Sequence, residues 1–131
     1  DYIHTAIYEN KQIKFHYAEW TVKKKLKLKK NGAFYVISLW ALTWDDENYY
    51  LVAYDASAGI IKHYRVDKMR DTEILESDRK GEESFKKLVS VSSQFFGWIT
   101  GIGSGMRIVG PEDVRQQYKE YLQNAIQNYM D

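Results

Sequence analysis

Six lysines fall within the eight residues from Lys23 to Lys30 (Lys-Lys-Lys-Leu-Lys-Leu-Lys-Lys), and a second basic group, Lys62, Arg65, Lys68 and Arg70, is opposed locally by Asp67 alone. Ammonium groups hold phosphate as point charges, whereas the planar guanidinium fork grips it through two parallel hydrogen bonds, which makes Arg65 the first candidate for a phosphate contact and Lys62 and Lys68 the next. Tyr17, Trp20, Tyr35, Trp40, Trp44, Tyr49 and Tyr64 are interleaved with these cations. Rings that stack on bases, together with cations that hold phosphates, form the chemistry of single-stranded nucleic-acid or nucleotide binding. The same residues admit plainer roles. A Lys-rich edge strand resists edge-to-edge aggregation, Arg65 can pair with Asp67, and many of the rings must belong to the core. Strand alternation also sends Lys62 and Arg65 to opposite faces, so a bulge or strand end has to intervene if all three cations share a pocket.

Other chemistries find little support. The chain has no Cys, which excludes disulfides, thiolate metal sites and a cysteine nucleophile. His4, His16 and His63 are scattered, with no carboxylates at metal-ligand spacing around them. Gly101-x-Gly103-x-Gly105 lacks dinucleotide-fingerprint spacing and suits a tight turn. An enzyme built on His63 and Asp67 lacks a third catalytic group, so no enzymatic activity, metal or cofactor is expected. The 131 residues carry 19 basic and 18 acidic side chains, a net charge of +1 that conceals segregation: residues 11–30 hold eight Lys against one Glu, and residues 31–60 hold four acids and no base. With 44% apolar and 15% aromatic residues a disordered chain is excluded. The longest weakly polar run, Val89 to Ile102, is too short to span a bilayer. No signal peptide is evident, and the start at Asp1-Tyr2-Ile3 fits a soluble cytoplasmic fragment of a longer protein with no membrane association.

The elements that must position these residues follow from periodicity. Ile3, Ile7 and Tyr8 mark a leading helix that stops near Asn10. Gln12 to Tyr17 alternates as a strand, with Ile13, Phe15 and Tyr17 on one face. Residues 23–30 alternate strictly, sending Leu26 and Leu28 inward, and Asn31-Gly32 signals a hairpin into a strand from Ala33 to about Trp44, broken near Ser38. The acidic turn Asp45-Asp46-Glu47-Asn48 leads to strands over Tyr49 to Tyr54 and Ile60 to Val66. Five short strands in this span predict a mainly β fold: a small barrel of the Sm or SH3 type with flanking helices. Asp71 to Gly81 is a linker or extension strand. A short helix over Glu82 to Leu88, a strand at Val89 and Val91, a short helix at Phe95 to Ile99, a strand from Met106 to Val109 and a final helix with a Val114, Tyr118, Tyr121, Leu122, Ala125, Tyr129 stripe complete the chain.

Residues 38–69, with Tyr49-Tyr50-Leu51 in place of Trp-Tyr-Leu and Lys62, Arg65 and Lys68 at the spacing of Arg-x-x-Arg-x-x-Arg, resemble the WYL domain of bacterial transcriptional regulators. Ser38-Leu39-Trp40 keeps the Ser of the family's Ser-Pro step and loses the Pro. The resemblance covers about residues 1–76. The tail, Phe95 to Gly103 and Ile108 to Val114, is similar to the end of the C-terminal extension of such proteins. The resemblance therefore implies a WYL barrel over 1–76, a linker over 77–88 and an incomplete, partly ferredoxin-like α/β extension over 89–131. Residues are expected to be missing between Leu88 and Val89.

The resemblance further implies a ligand-sensing and dimerisation module that binds a nucleic-acid or nucleotide ligand and signals to a helix-turn-helix head preceding it. That head would contact promoter DNA, in a homodimer. The implied ligand residues are Tyr17, Lys25, Lys27, Ser38, Trp40, Tyr49, Lys62, His63, Arg65 and Lys68, with Tyr35 at a position where many members have Arg. The alternative is an Sm-like module acting directly on RNA.

Overall fold

The computed structural model describes residues 2–44, 47–91 and 105–130. Helix α1 (Tyr2–Glu9) stops where Asn10 turns to φ 61°. Its buried stripe is Ala6 flanked by Ile3 and Ile7, while Tyr8, expected on the inner face, is 91% exposed. Strand β1 (Lys11–Trp20) then runs the length of the sheet, with Ile13 and Phe15 buried as their alternation requires. Further strands are β2 (Leu26–Leu28), β3 (Tyr35–Trp44), β4 (Tyr49–Asp55), β5 (Ile60–Arg65), β6 (Met69–Asp78) and β7 (Gly105–Ile108), with helices α2 (Glu82–Val91) and α3 (Glu112–Gln127). All pairings are antiparallel; the path β2-β1-β3-β4-β5 is joined by β6 on β1 and β7 on β3. The sheet curls into a half-barrel flanked by helices, the small-barrel class that the strand rhythm predicts.

Two sequence expectations change here. Asn31-Gly32 does not join paired strands: β2 pairs with Ala18 to Trp20 of β1, and β3 pairs with Ile13 to Phe15. Lys30, Asn31 and Gly32 all take positive φ (56°, 54° and 82°), a left-handed coil that carries the chain along β1 instead of folding it back. Left with only three residues, β2 presents Leu26 to solvent rather than inward. Asp71 to Gly81, expected as a linker or extension strand, lies mostly in β6, which begins at Met69 and pairs with β1. Residues 77–88 are the end of β6 and most of α2, and Val89 and Val91 are helical rather than extended. The expected helix at Phe95 to Ile99, the residues Gly101 and Gly103, and Asp45 and Asp46 of the acidic turn lie outside the described residues.

The expected break near Ser38 proves to be a bulge at Trp40, where the β3–β4 register shifts between Leu39 and Ala41. One extra residue reverses the alternation beyond it. Tyr35, Ile37, Leu39 and Leu42 thus face the barrel core with Phe15, Leu51, Ala53, Tyr64 and Met69. Trp40 and Ala41 face a second core with Val52, Phe85, Val89, Ile108, Val114 and Tyr118. The middle of β3 and β4 is covered on both faces. On α3 the stripe is buried only at Val114 and Tyr118, with Tyr121 and Leu122 partly exposed and Tyr129 90% exposed.

Candidate nucleic-acid interface

Ten residues carry the sequence-based site, and the fold separates them. Ser38 and Trp40 leave the surface altogether. Ser38 is fully buried, its Oγ accepting from Gln12 Nε2 (3.1 Å) and from the Lys80 backbone N–H (2.9 Å). Trp40 stacks on Phe85 (6.1 Å between centroids), donates from Nε1 to the Lys80 carbonyl (2.9 Å), and is covered by the Arg79 guanidinium 4.7 Å from its ring. Both are structural. Their burial follows from covering β3 with α2, an element that sequence alone places only weakly.

The cations expected to converge do not share a pocket. β5 pairs with β4 without a shift, so alternation sends Lys62 and Arg65 to opposite faces. Lys62 Nζ pairs with the buried Asp55 (3.0 Å). Burial alone would raise the pKa of Asp55, but hydrogen bonds from Ser57, Lys62 and the Ala58 N–H outweigh it and hold the carboxyl at about 2. Arg65 closes a two-point pair on Asp67 (3.0 Å from Nε, 2.8 Å from Nη2), which together with the Asp67 charge raises its pKa, and it also reaches Asn48 (3.4 Å). Lys68 sits half-buried in the 3-10 turn between β5 and β6. His63 is exposed at its outer edge, yet its surroundings desolvate the imidazole enough to lower its pKa. Tyr49 is 51% exposed beside Trp44 (6.3 Å).

What the fold assembles is a tyrosine cluster under a lysine turn. The rings of Tyr17, Tyr35 and Tyr64 lie 5.6–6.1 Å apart, against Phe15. Tyr17 Oη accepts the Arg65 N–H (2.9 Å), tying β1 to β5 where they form no ladder. Tyr64 Oη is buried with no hydrogen-bond partner among the described residues, and desolvation raises its pKa. Desolvation likewise raises Tyr35, against the opposing field of Lys62. The left-handed turn lays Lys30 Nζ 4.0 Å from the centre of the Tyr35 ring and Lys29 Nζ 5.9 Å from that of Tyr17. Lys29, Lys30, Tyr35 and Tyr64 belong to the basic and aromatic company visible in the sequence but not to the ten expected ligand residues, since the turn that brings them together, with three consecutive positive φ values, reads there as an ordinary hairpin. Lys25 and Lys27 are exposed on the neighbouring β1–β2 ribbon.

Arg79 was also missed. Its Nε donates to Asn10 Oδ1 (2.7 Å) and its Nη1 to the Leu39 carbonyl (2.9 Å), while its own N–H bonds the Asn10 carbonyl (3.1 Å). The side chain thereby joins the end of α1, the bulge and the second core, and burial lowers its pKa. Among the described residues no group of three or more His, Asp and Glu stands ready to hold a metal ion, and no helix is long and apolar enough to cross a membrane.

No curated protein matches the chain. The WYL domain model matches residues 1–74, the span from α1 through the barrel to the middle of β6 that holds the tyrosine cluster and both basic segments. By that match over more than half of its length, this chain belongs to the WYL domain family.

Proposed function

We propose that this chain is the ligand-sensing module of a cytoplasmic WYL-type transcriptional regulator, with a nucleic-acid or nucleotide ligand on the face where the lysine turn overlies the tyrosine cluster. The observation that carries the reading is the placement of Lys29 and Lys30 over the Tyr17 and Tyr35 rings, next to a buried Tyr64 hydroxyl that has no partner among the described residues. Phosphate oxygens complement the ammonium groups, and an acceptor or donor on the ligand completes the hydroxyl. The regulator acts as a homodimer with a DNA-binding head outside these residues, and ligand binding reaches that head through α1, which Arg79 ties to the barrel. Residues 1–76 form the sensor and 89–131 its extension.

Titration of labelled single-stranded DNA, RNA and mononucleotides over a range of salt concentrations tests this. Saturable binding that weakens with salt, with one ligand per barrel, supports the sensor; absence of binding at low salt rules it out. Length-independent association with any RNA favours a module acting directly on RNA. Light scattering of the full-length regulator checks the dimer, which a monomer mass excludes.

A further inference from the structure

The β1–β2 ribbon projects beyond the tyrosine cluster and has its own chemistry. Trp20 and Leu26 face each other across it as register partners, one step outward from the buried Ala18 opposite Leu28. Trp20 is 68% exposed, Leu26 is exposed, and Val22 at the tip is fully exposed. The turn between them is built rather than loose. The Thr21 N–H donates to the Lys25 carbonyl (2.8 Å), the Lys24 N–H to the Thr21 carbonyl (2.9 Å) and the Lys25 N–H to Thr21 Oγ1 (3.2 Å), with Lys24 at φ 59°. This closed turn presents Lys23, Lys24 and Lys25 to solvent. None of these three, nor Lys27, forms an ion pair among the described residues; the pairs there involve Lys11, Lys14, His16, Lys62, Lys86, Arg65 and Arg115.

We propose that the ribbon is a second nucleic-acid contact, in which Trp20 stacks on a base and Lys23, Lys24, Lys25 and Lys27 hold successive backbone phosphates. The inference rests on the sensor reading and specifies its ligand as a strand of several nucleotides. Four ammonium groups, three on the closed turn and Lys27 on β2, outnumber the charges of any single phosphate, so their neutralisation takes several. An anionic membrane fits less well. Apart from Val22, the tip of the ribbon consists of strongly hydrated ammonium groups, and Trp20 is set back from them, so inserting the tip would strip water from three charges before the ring reached the lipid.

The test compares a mononucleotide, a labelled single-stranded oligonucleotide of about twelve nucleotides, and vesicles rich in anionic lipid, using fluorescence anisotropy and co-sedimentation. For the oligonucleotide, Trp20→Ala is expected to weaken binding roughly 5- to 100-fold, while Trp20→Phe retains most of the affinity. Lys23→Gln/Lys24→Gln is expected to reduce the slope of log affinity against log salt by about 1.4. Mononucleotide binding should be unchanged in both variants. Oligonucleotide affinity and slope unaffected by these substitutions, with binding intact, overturn the ribbon contact and leave the sensor reading standing. Absence of any nucleotide binding by the unaltered chain overturns the sensor reading itself. Ribbon-dependent binding to vesicles without binding to the oligonucleotide replaces the nucleic acid with a membrane and also overturns the proposal.

Discussion

The two basic segments, similar in sequence, have opposite electrostatic fates. On β5 and the following turn, Lys62 is matched by Asp55 and Arg65 by Asp67. On the segment from Lys23 to Lys30 the lysines form no ion pair among the described residues, and the last two lie on tyrosine rings. Arg79, farther along, belongs with the first group because its donors are consumed by Asn10 and Leu39. A cation already matched within the chain contributes to the fold, and an anion has to displace its partner to use it. A cation facing only water and rings gives up little by meeting a phosphate. Local charge counts mark both segments as basic and cannot rank them, since ranking depends on which acids the fold brings within reach.

The sharpest way to break this division is at Arg79. Arg79→Ala should lower stability by about 3 kcal/mol in urea unfolding, because it takes the donor from the part-buried Leu39 carbonyl, releases Asn10 and uncovers Trp40. Arg79→Lys should recover little, as a single ammonium cannot reproduce the fork. A neutral result would move Arg79 into the available group.

Asp55→Asn comes next, with an expected loss of about 2 kcal/mol at neutral pH. The sign follows from a folded pKa of about 2 against an ordinary 3.8. The carboxylate stabilises the fold fully above pH 4, and that contribution disappears as pH falls from 4 through about 2. The variant should therefore lose this part of the acid-side slope, measured as urea midpoints against pH.

Tyr64→Phe should be nearly neutral or slightly stabilising, since it removes a buried hydroxyl without a partner among the described residues, yet it should weaken ligand binding by a few fold if that hydroxyl is completed by the ligand. Arg65→Ala should leave the urea midpoint essentially unchanged, since its pair with Asp67 is half exposed to solvent. The smallest stability effect belongs to the ribbon: Lys23→Gln/Lys24→Gln should unfold as the unaltered chain does while altering only nucleic-acid binding. A stability loss there would show that these lysines also act in the fold.

Much of the barrel was legible along the chain because its signals are local. Alternation at Ile13 and Phe15 gave β1 its inner face, and Tyr49 to Tyr54 and Ile60 to Val66 were bounded by turn residues. The turn at Lys30 to Gly32 was misread because the same dipeptide serves a hairpin and a left-handed coil, and only the pairing of β1 with both neighbours distinguishes them. Val89 and Val91, β-branched and alternating, suggest a strand along the chain, whereas the packing of Phe85 and Val89 with Trp40 in the second core decides for helix.

By itself, then, the sequence determined the small β barrel with flanking helices, the resemblance to the WYL family, and the company of lysines and aromatic rings, since each depends on residue type and short spacing. The tertiary structure alone decided which of those groups are exposed and which are buried or matched within the chain. The covering of β3 by α2 and the residues leading into it buried two candidates, Ser38 and Trp40. Asp55 and Asp67 matched the cations of β5, and a left-handed turn set Lys29 and Lys30 on the tyrosine cluster. Exposure and charge compensation are properties of neighbours brought together from distant parts of the chain, and no local pattern encodes them.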